Sequence, residues 1–481
     1  MSFFLITFLS SIFTIILTWI PNLATTKVGL TDIFPHFYKT AKDRIVGQGL
    51  SIFAFAFFLY AILQSQSFQA LFASKRKWLE KRKYLTIGLI TVVVALLASE
   101  LSWFDEFVHF YPLVIPLLLA IGFDAFSSIL CLYGGSIAGL LGLVSSQRMS
   151  EHFGQSFSGV QGKINYNGFA GIGFRLTSLV VFVSLIVLFN IWYCSRNRQK
   201  VATQKEDLTQ KETPPRFNKT RKWILALAGI FLFTSFLAQV PIAEKKLGKV
   251  AEKIPPQITN EVKGEDQHER VGEIEKMKIA KVKEKNEKNW GVFGEWGEQA
   301  IDCWLIIGGI IICLLAKQSI IGSLTTSIQN AIPLLLVYIF AAVPATIIKK
   351  SGMSDNLAGI LLPKTAKGAG SSFALLSVFG ISFLLTFIVS SVAIAIALVA
   401  AFAPILLAFG ESTLIYGAIF AWVGAVMGMA FSPNNGILRA SLEKGKVTYK
   451  QFIKKTWKLA LIMTLVALGL VVFWTRFMVK G

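Results

Sequence analysis

The residues able to bind or move charge fall in four short stretches. Asp105, Glu106 and Asp124, with Glu100 and His109 close by, make the first; Ser145, Ser146, Gln147 and Arg148 the second; Ser390 and Ser391 the third; and Ser432-Pro433-Asn434-Asn435-Gly436 with Arg439 the fourth. Carboxylates hold protons or metal cations, hydroxyls and amides offer both donors and acceptors, and a guanidinium can clamp a carboxylate through two parallel hydrogen bonds. Together these groups suit a sodium ion, a proton or a polar solute. Enzyme signatures are missing: the chain has no H-E-x-x-H, no G-x-S-x-G, no P-loop and no Cys/His group at metal spacing. GFAGIGF at 168–174 is glycine-rich but has no strand-to-helix context. Cys131, Cys194, Cys303 and Cys313 show no C-x-x-C pair, so neither a disulfide framework nor a structural metal is indicated. No cofactor is expected beyond a coupling Na+ or H+.

The elements that position these stretches are membrane helices. Of 481 residues, 54% are hydrophobic and 16% charged, with a mean hydropathy of +0.60, too apolar for a water-soluble chain of this length. Apolar runs cover 3–20, 49–73, 172–194, 223–241, 300–316, 330–348 and 456–476, with interrupted runs at 86–102, 107–122, 126–144, 372–390, 391–409 and 413–431. At about 20 residues per span, this is an all-α polytopic membrane protein of about 11–13 membrane segments. The net charge of +21 lies in loops beside spans, where it orients helices and implies no nucleic acid. The first run lacks a cationic start and a small-residue cleavage site and is expected to stay as a helix. Arg175, at the foot of a span, reads as an interfacial anchor.

The basic stretches 74–83 and 195–222 belong on the inner face, which puts the amino terminus inside, the carboxy terminus outside and the chain in the cytoplasmic membrane. Lys349, Lys350, Lys364 and Lys367 would then be external, against the bias. The expected organisation is a first transmembrane repeat (1–194), a basic inner loop (195–222), a linking span (223–241), a charged outer insertion (243–298) and a second repeat (299–481). The insertion alternates charge and suits a solvated spacer.

Two segments correspond at nearly the same offset, about 288 residues. FYPLVIPLLLAIGFDAF (110–126) aligns with LVAAFAPILLAFGESTL (398–414), so that Pro116 and Gly122 answer Pro404 and Gly410. GGSIAG (134–139) likewise answers VGAVMG (423–428), each with a G-x-x-x-G pair that lets helices approach closely. With one lone span between the copies, the second copy starts on the opposite face, giving two inverted repeats with broken helices or re-entrant hairpins and a site near the midplane. Breaks at membrane depth must face protein or water. An ordinary surface loop at SWFDE, with its carboxylates in water, is the alternative reading of the first break, and Arg148 and Arg439 equally fit snorkelling.

At ELSWFDEFVHFYPLVIPLLLAIGFD (100–124) the chain resembles the four-carbon-dicarboxylate anaerobic carrier family of the ion transporter superfamily, in particular its basic amino-acid antiporter branch. Asp105 and Glu106 stand at the family's paired-acid positions, Phe110-Tyr111-Pro112 follow as in the family, and Gly122-Phe123-Asp124 fill its G-[YF]-D. LTWIP (17–21), GIGFR (171–175), SPNNG (432–436) and VTYKQFIK (447–454) match as well. The family's N-P-F is replaced by Gln147-Arg148-Met149, its S-G-S-G tip by Ser390-Ser391-Val392-Ala393, and its G-D-G-x-x-N by Gly424-Ala425-Val426-Met427-Gly428-Met429. The resemblance implies a secondary active transporter for an amino acid or dicarboxylate, symporter or antiporter, whose partners are a small-molecule substrate, the lipid bilayer and, as often in this superfamily, a second copy. A degenerate, non-transporting membrane scaffold is the alternative, and a channel a weaker one, since no filter signature is present.

Overall fold

A computed structural model describes residues 2–21, 23–45, 49–101, 103–143, 170–196, 216–239, 296, 298–353, 366–390 and 393–478. Described are helices α1 (Ser2–Thr18), α2 (Ile33–Arg44), α3 (Leu50–Gln64), α4 (Ser67–Lys81), α5 (Lys83–Leu101), α6 (Tyr111–Ala120) and α7 (Ala125–Gly142). They continue with α8 (Ile172–Arg196), α9 (Lys219–Gln239), α10 (Glu298–Leu315), α11 (Ile320–Lys350), α12 (Ala366–Val389), α13 (Ala393–Ala408), α14 (Glu411–Ala430), α15 (Gly436–Lys444) and α16 (Tyr449–Met478). Among the described residues 7 helices are long and apolar enough to cross a membrane, or 8 if the bent pair α3–α4 counts as one span; Glu106–Ala120, Gln299–Leu315 and Ile320–Leu336 are shorter apolar segments. Among the described residues some apolar runs are broken by bends. The run 49–73 in particular does not cross as one rod. It bends by 58° at Gln66, whose backbone is left-handed, and α4 leaves with Lys75, Arg76, Lys77 and Lys81 on it.

Two helices form the centre. The spans of α7 and α14 are buried over 94% and 89% of their length, against 28–39% for the other five. Only small residues permit this. A Cβ on Gly135 or Gly139 would press on the carbonyls of Thr91 and Ala95 in α5, and one on Gly424 or Gly428 on those of Phe379 and Phe383 in α12. In each pair, a step along one helix matches a step in the same direction along the other, so α5 runs parallel to α7 and α12 to α14. The returning helix between them, α6 or α13, ends at Gly122 (φ 92°) or Gly410 (φ 115°), backbone that side chains with a Cβ rarely adopt. The helix triplets α5–α6–α7 and α12–α13–α14 are therefore two copies of one unit, as the sequence correspondence requires.

The copies meet head to tail. Trp422 Nε1 donates to the Leu140 carbonyl at 2.8 Å, and Tyr133 Oη donates to the Ala430 carbonyl at 2.7 Å. Advancing along α14 thus means retreating along α7, so the two central helices are antiparallel, the relation that an inverted repeat demands. Residues 243–295, in the charged insertion, lie outside the described residues.

Gly139→Leu and Gly428→Leu should each lower the unfolding temperature of the detergent-purified protein, since overpacking typically costs about 1–3 kcal/mol and here the obstacle is backbone. Gly469→Ala, in α16 with open space around its Cα, should leave it unchanged or slightly raised. Thermal unfolding of the three variants checks this.

Candidate functional site

Both helix breaks lie inside the protein. After α5 the chain turns through Trp103 and Phe104, both buried, into a 3-10 turn at Glu106–Phe110 that feeds α6. Glu106 is only 7% exposed and its Oε2 accepts the Phe104 N–H at 3.0 Å; Asp105 is half-buried. His109 is 3% exposed, and its Nε2 has no hydrogen-bond partner among the described residues. The surface-loop reading of SWFDE is thereby excluded: the turn is lined by protein, as irregular backbone at membrane depth must be.

In the second half, α12 stops at Ser390, whose backbone is left-handed (φ 56°) and whose buried Oγ likewise has no partner among the described residues. The SPNNG turn closes the helix end. Ser432 Oγ donates to the Phe387 carbonyl at 2.7 Å, and Asn434 Nδ2 donates to the Ile388 carbonyl at 2.6 Å. Asn435 caps the next helix, α15, by accepting the N–H groups of Ile437 and Leu438 on Oδ1 at 2.9 and 3.1 Å. Its Nδ2 donates to the Met429 carbonyl and to Tyr133 Oη, both at 3.0 Å.

Tyr133 is where the halves converge. It sits midway along α7 in a π-helical stretch, Leu130–Gly134, a distortion common at functional sites. Its hydroxyl joins Ala430 and Asn435 of the second half, while its ring lies 5.8 Å from that of Phe104 in the first-half break. A cavity of about 20 Å³, lined by Tyr133, Ile137, Ala430, Phe431, Phe452 and Met463 among others, adjoins it. Glu106, Ser390, Ser432, Asn434 and Asn435 therefore belong to two breaks linked through one tyrosine. Glu106 supplies a buried carboxylate in the first break, while the apolar cavity beside Tyr133 has room for about one water molecule.

Arg439 lies beside this turn. Its Nε donates to the Pro433 carbonyl at 3.0 Å and the guanidinium stacks on the Tyr449 ring at 4.4 Å. Burial draws it below its usual pKa, with Tyr449 acting in the opposite sense.

Asp124 belongs to a second network. It caps α7, its Oδ1 accepting Ser127 N–H and Oγ at 2.9 and 2.8 Å, and its Oδ2 accepts Tyr193 Oη at 2.7 Å. Lys455 of the second half donates to Tyr193 Oη at 2.8 Å, lies 4.0 Å from Asp124 Oδ2 and covers the Phe126 ring at 4.4 Å. A polar bridge thus ties the halves at the end of the molecule where Lys83 sits against Phe123.

Ser145, Ser146, Gln147, Arg148 and Ser391 lie outside the described residues. Arg175 corrects its sequence reading. Only 1% exposed, it is no interfacial anchor: it donates to the carbonyls of Leu143 and Ala170, holding the strained, left-handed Leu143 that ends α7. Ser51 Oγ donates to buried Asp302 at 2.8 Å, an acid inside an apolar helix that the sequence reading passed over. Its charge within the run 300–316 was the available signal. Tyr133, Tyr193 and Lys455 carried no such mark.

Residues 4–247 match the family described as DcuC: C4-dicarboxylate anaerobic carrier. An uncharacterized protein of Haemophilus influenzae is 26% identical over 147 residues, 30% of this chain, and the chain spans only 27% of that relative's length. The crystal structure of the Alcanivorax borkumensis YdaH transporter, described as having an unusual topology, aligns with a TM-score of 0.45 and 16% identity over 99% of this chain and 98% of that one.

Asp124→Ala should destabilise the protein by about 0.5–2 kcal/mol through loss of the helix cap. Lys455→Met should cost no more than about 1 kcal/mol, because the ion pair is partly exposed and solvent screens it. A double-mutant cycle read by thermal unfolding checks both values and the coupling between them.

Proposed function

Because the chain belongs to the C4-dicarboxylate anaerobic carrier family, we propose that it is a secondary active carrier for a small carboxylate-bearing solute, a dicarboxylate or an amino acid. The observation carrying this reading is the meeting of two helix breaks, one from each antiparallel half, on Tyr133 in the middle of a buried helix. The solute binds between Tyr133 and the two breaks. Glu106 takes the coupling Na+ or H+, and His109 Nε2 and Ser390 Oγ, buried and without a partner among the described residues, turn to the solute or ion. An unsatisfied buried polar group costs about 1–3 kcal/mol, which such a contact recovers.

Charge constrains the coupling. Moving a dianion inward against an inside-negative potential costs about 4.6 kcal/mol per 100 mV, at about 2.3 per charge. At least two cations must then accompany it, or another anion must leave in exchange. A basic amino acid needs neither. In the proposed orientation the amino terminus is inside, and the Asp124–Tyr193–Lys455 bridge closes the inner side until the halves part.

One observation favours the rival reading, a non-transporting scaffold: the side chains of Ser432, Asn434 and Asn435 are already engaged with backbone. Uptake by proteoliposomes of radiolabelled dicarboxylates and amino acids, under sodium, proton or exchange gradients, separates the two. Uptake by the wild type should fall about tenfold or more in Tyr133→Phe, which loses a hydrogen bond in a low-dielectric site. Glu106→Gln should abolish dependence on the coupling ion. Absence of uptake under every gradient would leave the scaffold.

A further inference from the structure

Behind the first break, α3, α4, α9 and Phe110 enclose a cavity of about 270 Å³. Its walls include Phe55, Phe58, Leu71, Leu225 and Leu232, and among the described residues no polar or charged side chain lines it. Such a void is far larger than those a close-packed interior tolerates. It opens toward lipid at Gly229, an exposed residue in α9 at which an added Cβ would meet nothing within 4 Å. The linking helix therefore lacks a side chain where the wall faces the bilayer.

The same face of α9 ends in charge. Leu225, Ala228, Gly229 and Leu232 line the cavity, and Arg221 stands one turn before Leu225 on that stripe. Arg221 is half-buried and reaches over the α3–α4 bend, Nε donating to the Ser65 carbonyl at 3.3 Å and Nη1 to the Arg216 carbonyl at 2.6 Å. Lys219 and Lys222 flank it, and α4 presents exposed Lys75 and Lys77. Exposed Trp223, two residues after Arg221, marks this end as the level of the lipid headgroups.

An occupant must be apolar along its length, anionic at the Arg221 end and able to enter sideways from the bilayer. We infer that the cavity between α3, α4 and α9 is a binding site for an anionic phospholipid, one acyl chain lying beside Gly229 and the phosphate held at Arg221. Neither the carrier reading nor the central site is needed for this.

Native mass spectrometry of the full chain, purified in mild detergent and mixed with phosphatidylglycerol or phosphatidylcholine, tests it. One phosphatidylglycerol should stay on each chain, preferred over phosphatidylcholine by about fivefold or more, the worth of one basic contact at a membrane surface. Gly229→Leu fills the cavity and should lose the lipid while keeping its unfolding temperature in detergent. Arg221→Gln should retain a lipid but lose the headgroup preference, and carries the test alone if Gly229→Leu does not fold. Equal retention of the two lipids by the wild type, or unchanged phosphatidylglycerol binding in the folded variants, would overturn the inference.

Discussion

A chain that spans hydrocarbon has no water to satisfy its backbone, so every interrupted helix must find partners for its exposed carbonyl and amide groups inside the protein. This requirement explains most of the polar chemistry seen here. The last carbonyls of α12 are met by Ser432 and Asn434, the first amides of α15 by Asn435, the turn after α5 by Glu106 and the strained end of α7 by Arg175. Side chains that read as ligands in the sequence are also the caps that allow the breaks to exist. Those breaks in turn carry the chain to Tyr133.

Packing of small residues supplies the second half of the design. Lipid tails are as apolar as leucine, so helices associate through close approach and not through escape from water. The glycine pairs of α7 and α14 seat each helix on the backbone of a parallel neighbour, making two rigid triplets. Between the halves, apolar packing within one continuous core is joined by hydrogen bonds at Trp422, Tyr133 and Asn435 and by a partly exposed ion pair at Lys455. Exposed ion pairs contribute about 0–1 kcal/mol.

How much was legible in the sequence follows from the same physics. Helices, the duplication and the first break could be read locally, because apolar length, glycine and proline act within a few residues of themselves. Gly122 and Gly410 proved to be positive-φ turns at corresponding points, and the acids after Leu101 do lie in buried irregular backbone. The run 49–73 misled because apolar content does not reveal a bend set by the backbone of Gln66. Arg175 misled because an arginine at a helix foot looks the same whether its partner is lipid phosphate or the carbonyl of a residue 32 positions earlier.

By itself, then, the sequence determined the solvent, the helices, their pairing into two related units and the stretches where helices fail, all properties of composition and short-range covalent geometry. Only the tertiary structure decided which faces of the inverted units meet, that Tyr133 is shared by both breaks, and that Asp124 is bridged to Lys455. α7 and α14 are apolar all round, so no hydrophobic stripe tells which face meets which neighbour. That choice rests on contacts between residues hundreds of positions apart.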